Sequence, residues 1–262
     1  MLVGAGDIAS CNLTGDTATA KLIAGIPGTV FTAGDNAYES GTAAEFANCY
    51  DPTWGAFRDR TKPVPGNHDY VTSDATGYYN YFGAAAGPSS QGWYAYDVGA
   101  WRIYALNSNC DAIGGCGQGS AQETWLQADL AANPRQCVAA IWHHPRFSSG
   151  DHGNNTDVDA IWRDLVAAGA EFVINGHDHD YERFAPLDAT GAVASINGTR
   201  EFVVGTGGAS LRAFATVQGG SEVRNSATLG VMKFTLSATG YSWQFVPIAG
   251  KTFTDTGSGT CA

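Results

Sequence analysis

Residues 176–183 read Gly-His-Asp-His-Asp-Tyr-Glu-Arg and follow the apolar run Phe172–Ile174 after a single asparagine. A short run of Phe, Val and Ile reads as a buried strand. The octapeptide therefore begins where a strand leaves the sheet. On an extended segment, residues i and i+2 face the same way, so His177 and His179 can offer both imidazoles to one metal site. The same arrangement recurs outward along the chain. Val138–Trp142 runs into His143-His144-Pro145, and Pro63–Val64 into Gly66-Asn67-His68-Asp69. Thr29–Thr32 runs into Gly34-Asp35-Asn36-Ala37-Tyr38, and Leu2–Gly4 into Gly6-Asp7. Strand carboxyl ends in α/β sheets converge on one crevice, where such folds bind ligands. The histidines of these clusters leave out only His152, which lies nine residues after His143.

Helical patterns separate several of these runs. Ser120 with Glu123 has the form of a capping box, followed by Trp125, Leu126 and Leu130. Val158, Ile161, Trp162, Leu165 and Val166 keep helical spacing, and 17–24 and 43–50 are further helical segments. Trp93–Val98 with Trp101–Leu106, and Val231–Leu236 with Tyr241–Val246, read as hairpins, and Phe202–Val204 as one more buried strand. Alternating strands and helices mixed with hairpins predict an α/β protein with mixed sheets. No repeat or composition break divides the chain, so 1–262 reads as one domain with a Gly/Thr-rich tail after Lys251.

The 262 residues are 44% hydrophobic and 15% charged, a globular composition. Lys plus Arg number 14 against 25 Asp plus Glu, a net charge of −11 that argues against nucleic-acid binding through phosphate contacts. No apolar run reaches the roughly 18 residues of a membrane span. Six cysteines, none in a CxxC pair, favour disulfides and an oxidising compartment over a zinc ribbon. Cys110–Cys116 is the pairing the short Gly-containing loop suggests. Cys11–Cys49 and Cys137–Cys261 are the residual choice among many connectivities. Sequons stand at Asn12, Asn154 and Asn197. The opening MLVGAGD reads as a strand and its exit loop, so a leader is expected to have been removed and the protein to be secreted or otherwise extracytoplasmic.

The ligand-type residues at the strand ends are Asp7, Asp35, Tyr38, Asn67, His143, His177 and His179. Mixed oxygen and nitrogen donors without thiolate suit Fe, Zn or Mn. They exceed the needs of one tetrahedral zinc, and two ions sharing a bridging carboxylate account for the surplus.

The five motifs GD(7), GDNAY(34–38), GNHD(66–69), HHP(143–145) and GHDHDYER(176–183) together resemble the metallophosphoesterases, specifically the small single-domain type of the purple acid phosphatase branch. Asp7 is followed by Ile8-Ala9 in place of the broader family's Asp-x-His, and Tyr38 stands where the purple enzymes carry an iron-binding tyrosinate. Departures are Ala9, where those enzymes often have Gly, and Asp69, where many have Glu. The resemblance implies a four-layer α/β/β/α sandwich of two mixed β-sheets flanked by helices. It implies Fe(III) at Asp7, Tyr38 and His179, and Fe(II), Zn(II) or Mn(II) at Asn67, His143 and His177, with Asp35 bridging. His68 and His152 are implied as catalytic residues contacting the substrate or its leaving group. The expected activity is hydrolysis of small phosphomonoesters by attack of a metal-bound hydroxide. The alternatives are a phosphodiesterase or nucleotidase using the same site, and a secreted, metal-stabilised binding module without turnover. No nucleic-acid or membrane partner is expected.

Overall fold

The computed structural model describes residues 1–88 and 91–261. Two mixed sheets carry the fold. The first has six strands in the order Thr256–Thr260, Gly240–Pro247, Gly230–Leu236, Leu2–Ala5, Thr29–Ala33, Thr61–Val64. The second has seven, in the order Ser221–Asn225, Tyr181–Leu187, Thr199–Val204, Phe172–Asn175, Cys137–Ile141, Trp101–Ala105, Tyr94–Val98. Both hairpins form as expected, Tyr94–Val98 with Trp101–Ala105 and Gly230–Leu236 with Gly240–Pro247.

Parallel pairing is what gathers the strand ends. Leu2–Ala5 runs parallel to Thr29–Ala33, which runs parallel to Thr61–Val64. Cys137–Ile141 and Phe172–Asn175 are likewise parallel neighbours. A short parallel pair, Ala9–Ser10 with Ala37–Tyr38, continues beyond the first sheet.

The central strands Leu2–Ala5, Cys137–Ile141 and Phe172–Asn175 are buried along their whole length, as strands covered on both faces are, whereas the edge strands Ser221–Asn225, Tyr94–Val98 and Thr256–Thr260 are polar or partly exposed. Between the sheets, Phe172 stacks on Phe234 at 4.6 Å and 5°, with Trp101, Phe202 and Trp243 packed around them. Each such side chain contributes about 1.5–3 kcal/mol by leaving water. On the outer face of the second sheet, Tyr104, Val138 and Val173 meet Leu126 from helix Ala121–Ala132 and Ile161, Trp162 and Leu165 from helix Asp159–Ala167. Helix Gly15–Ala24 buries Ala20 and Ile23. The helix–sheet–sheet–helix layering implied by the resemblance is the architecture observed.

Local details differ from the sequence reading. The Ser120 hydroxyl accepts the Glu123 N–H, but the Glu123 carboxylate takes the Gly119 N–H, so only half of that capping box closes. The complete box is at Thr42 and Glu45, starting a segment that is α-helical over Ala43–Glu45 and π-helical over Phe46–Tyr50. The three disulfides are Cys11–Cys49, Cys110–Cys116 and Cys137–Cys261. The Gly/Thr-rich tail is an integral edge: Thr256–Thr260 pairs with Gly240–Pro247, and the buried Asp255 accepts hydrogen bonds from Tyr181, Arg183 and Trp243.

Candidate metal centre

Asp7, Asp35, Asn67, His143 and His177 each sit within three residues of the end of a parallel strand. Three of them, Asp7 (φ 60°), Asp35 (φ 50°) and His177 (φ 71°), adopt the left-handed region that non-glycine residues rarely enter. Such a conformation costs on the order of 1–3 kcal/mol and persists only where the surroundings over-determine it. Here Asp7 N–H donates to Gly34 O at 3.0 Å, Ile8 N–H to Asp35 O at 3.0 Å, and His177 N–H to Asp7 Oδ2 at 2.9 Å. The turn of one motif is thus fixed by the next. Glycine is required beside them: a Cβ at Gly66 would collide with the Asp35 carboxylate, and one at Gly34 with the His143 ring. Buried Asp69 ties two motifs together, accepting from Gly66 N–H and the Asn36 side chain, each at 2.9 Å.

The seven candidate ligands come together. Tyr38 Oη lies 2.8 Å from Asp7 Oδ1, 3.0 Å from Asp35 Oδ2 and 3.1 Å from His179 Nε2. His143 Nε2 lies 3.0 Å from Asn67 Oδ1 and 3.3 Å from Asp35 Oδ2, and the His143 and His177 rings are 5.0 Å apart. Asp35 therefore touches both groups.

The donor chemistry fits cations. A carbonyl oxygen only accepts, so His179 Nδ1 donates to Ser210 O and His143 Nδ1 to Ala33 O, each at 2.8 Å. That leaves both Nε2 atoms facing oxygens that are themselves lone-pair donors. One phenol proton at Tyr38 cannot satisfy Asp7, Asp35 and His179 together. The electrostatics show the same demand for positive charge. Burial disfavours a charged His143, yet Asp35 and Asp7 push it up to about 9. Burial alone would raise Asp35, but His143 and His68 hold it below the usual carboxylate range. Burial together with Asp35 and Asp7 pushes the Tyr38 phenol well above its ordinary value. A positive charge among these groups, whether a proton on His143 or a cation held by Asp7, Asp35 and His143, would offset the two carboxylates. Donor atoms of Asp7, Asp35 and His143 lie within 4.8 Å of one another, as do those of His143, His144 and His177.

The remaining histidines border the cluster. His68 is half-buried; its Nδ1 donates to Glu39 O at 2.6 Å, and its Nε2 is 3.9 Å from Asp35 Oδ2. His152 is exposed and stacks on His177 at 4.1 Å, its N–H donated to Asp178 at 2.8 Å. His144, the second histidine of the HHP motif and not among the seven candidate ligands, packs on His177 at 4.4 Å and is held by Ser108. Two further features lie outside the five motifs, although the Gly205-Thr206-Gly207-Gly208 stretch reads in the sequence as a lining or support of the crevice. The loop 205–212 follows the cluster closely, with Gly207 N–H on Gly6 O, Ala209 N–H on Asp7 O and Arg212 N–H on His179 O. Arg212 itself projects into the site, 2.7 Å from His152 Nε2.

An α/β sandwich whose strand ends present carboxylates, a phenol and imidazoles to a common centre defines a metal-binding class of protein. The chain belongs to the calcineurin-like phosphoesterase family, whose model matches residues 13–181. An uncharacterized protein of Mycobacterium tuberculosis is 29% identical over 56% of this chain and 35% of its own length. Purple acid phosphatase 15 of Arabidopsis thaliana is 26% identical over 68% of this chain and 40% of its own. The chain thus spans well under half the length of these relatives. In fold it is similar to purple acid phosphatase PPD1 from yellow lupin, with a TM-score of 0.76, 18% identity and 97% of this chain against 53% of that one. It is also similar to GAP50, described as the anchor in the inner membrane complex of Plasmodium, with a TM-score of 0.70, 16% identity and coverage of 97% and 87%. Among the described residues, no helix is long and apolar enough to cross a membrane.

Proposed function

We propose that this chain is an extracytoplasmic phosphomonoesterase that uses two metal ions, with residues 1–262 acting as one catalytic domain. The observation that carries the reading is the convergence of Asp7, Asp35, Tyr38, Asn67, His143, His177 and His179, with Asp35 shared between an oxygen-rich and an imidazole-rich group. Asp7, Tyr38 and His179 would hold Fe(III), since a phenolate is a hard anionic oxygen, and Asn67, His143 and His177 a divalent ion. When bound, the two ions would activate water and offset the charge on the phosphoryl oxygens. The chain's own residues do the rest. His68, its Nδ1 committed to Glu39 O, keeps Nε2 for a proton transferred to the departing alkoxide. His152, stacked on His177, borders the substrate position. The three disulfides support an oxidising compartment.

Elemental analysis with a visible spectrum tests the metal assignment. Two metals per chain and a tyrosinate charge-transfer band are expected; a colourless two-zinc protein removes the iron. Turnover of aryl monoester and diester chromogens tests the substrate class, and a clear preference for the diester defeats the monoesterase reading. That second reading is favoured by two open cavities of about 290 and 280 Å³ beside Asn67, His144 and His177, which offer room for a second ester arm. A binding module without turnover is disfavoured by the complete donor set. It would be established if the metal-loaded chain hydrolysed neither chromogen.

A further inference from the structure

The acidic balance of the chain reappears at the site. The cavities around the donor cluster are lined by Glu39, Asp111 and Asp157, and among the described residues the single Lys or Arg lining them is Arg212. Arg212 shares a cavity of about 170 Å³ with Tyr38, His68, His179, Ser210 and Leu13. Its position is built rather than incidental. Its N–H donates to His179 O at 2.9 Å, and two residues earlier Ser210 O receives the His179 Nδ1 proton. The arginine's segment is therefore anchored to a candidate ligand through one backbone hydrogen bond and one from the His179 ring to the Ser210 carbonyl. Its guanidinium spends one N–H on His152 Nε2 at 2.7 Å. Guanidinium has only donors, five of them, in a planar fork that matches phosphate oxygens.

We propose that Arg212 is the specificity-determining residue of this site, taking the third non-bridging oxygen of a terminal phosphate and so selecting monoesters over diesters. The inference rests on the functional reading above. A phosphomonoester presents three non-bridging oxygens and a diester two. Two ions held by the donor cluster would take two oxygens from either substrate. Only the monoester has a further anionic oxygen for a cation outside the cluster, and Arg212 supplies that cation. In a diester the same position is an esterified oxygen, which carries no charge to pair with. His152 Nε2, the present acceptor, gives up its share of the guanidinium when the phosphate arrives.

The test uses the metal-loaded chain and its Arg212→Ala and Arg212→Lys variants, with metal content checked for each. Inorganic phosphate is titrated calorimetrically, and kcat and KM are measured for an aryl monoester and a bis-aryl diester. Arg212→Ala should weaken phosphate binding by about tenfold or more, the scale of a hydrogen bond to a charged group. It should lower monoester kcat/KM by a similar factor, mainly through KM, and change the diester by no more than about twofold. Arg212→Lys should recover part of the phosphate affinity, because the charge returns without the fork. Equal losses on both esters, or unchanged phosphate affinity in Arg212→Ala, would overturn the proposal. A wild-type chain that binds two metals yet hydrolyses neither ester defeats the functional reading instead, and phosphate calorimetry still tests Arg212 separately.

Discussion

The two sides of the donor cluster are assembled by different means. On one side, Tyr38, Asp7, Asp35 and His179 are bound donor to donor, with oxygen and nitrogen atoms 2.8–3.1 Å apart around the phenol. On the other, His143, His144, His177 and His152 are held mainly ring against ring, with centroids 4.1–5.0 Å apart. The first side concentrates negative charge and raises the Tyr38 phenol; burial and its imidazole neighbours push His177 down so that it stays neutral. One fold thus offers two unlike donor environments joined by a single carboxylate, and under the proposed function each would hold one ion. Hard anionic oxygens favour a higher-valent ion, and neutral imidazoles a borderline divalent one.

The largest effect should come from breaking the joint. Asp35→Asn removes the shared charge and is expected to lower metal content on both sides. Hydrolysis should fall by more than the roughly 10²–10³-fold that loss of one stabilising donor costs. Retention of two ions per chain at normal rates would show that the sides are not coupled through Asp35.

Next come substitutions that separate the sides. His177→Ala should cost the imidazole-side ion and the activity while leaving the visible absorption expected of the Tyr38 side. Tyr38→Phe should do the reverse to the spectrum, removing the absorption while the imidazole-side ion stays. Elemental analysis and visible spectroscopy on both variants read the split. Loss of both ions in each variant would erase the distinction.

The smallest effect is one of pH. Burial and the neighbouring His143 push His144 down from 6.5 to about 3. Between those values the unfolded chain binds a proton at this position that the folded chain does not, so stability falls as pH falls through the window. His144→Asn should make the acid-unfolding curve of the metal-free chain shallower, by up to about 1.4 kcal/mol per pH unit. An unchanged slope would place His144 in a more open setting than its packing on His177 indicates.

Much of this was legible in the chain because it is written locally. Short apolar runs ending in Gly and a polar residue identify both the strands and the crevice, and the seven candidate ligands fall at those ends. The half-formed capping box at Ser120 shows where local reading stops. The residue types were right, but the Glu123 carboxylate found a better partner in Gly119. The tail after Lys251 carries no hydrophobic periodicity, so nothing in it announced an edge strand. Asp255 became structural only by meeting Tyr181, Arg183 and Trp243 across the fold.

The amino-acid order by itself determined which side chains arrive at the strand ends, because alternation, turn residues and donor chemistry act over a few neighbouring positions. Tertiary structure alone decided how they are used. It set the left-handed turns at Asp7, Asp35 and His177, brought His144 against His177 and Ser108, and delivered Arg212 from a loop without a motif. Those outcomes depend on contacts between segments far apart in the chain, whose energies exist only once both sheets have packed.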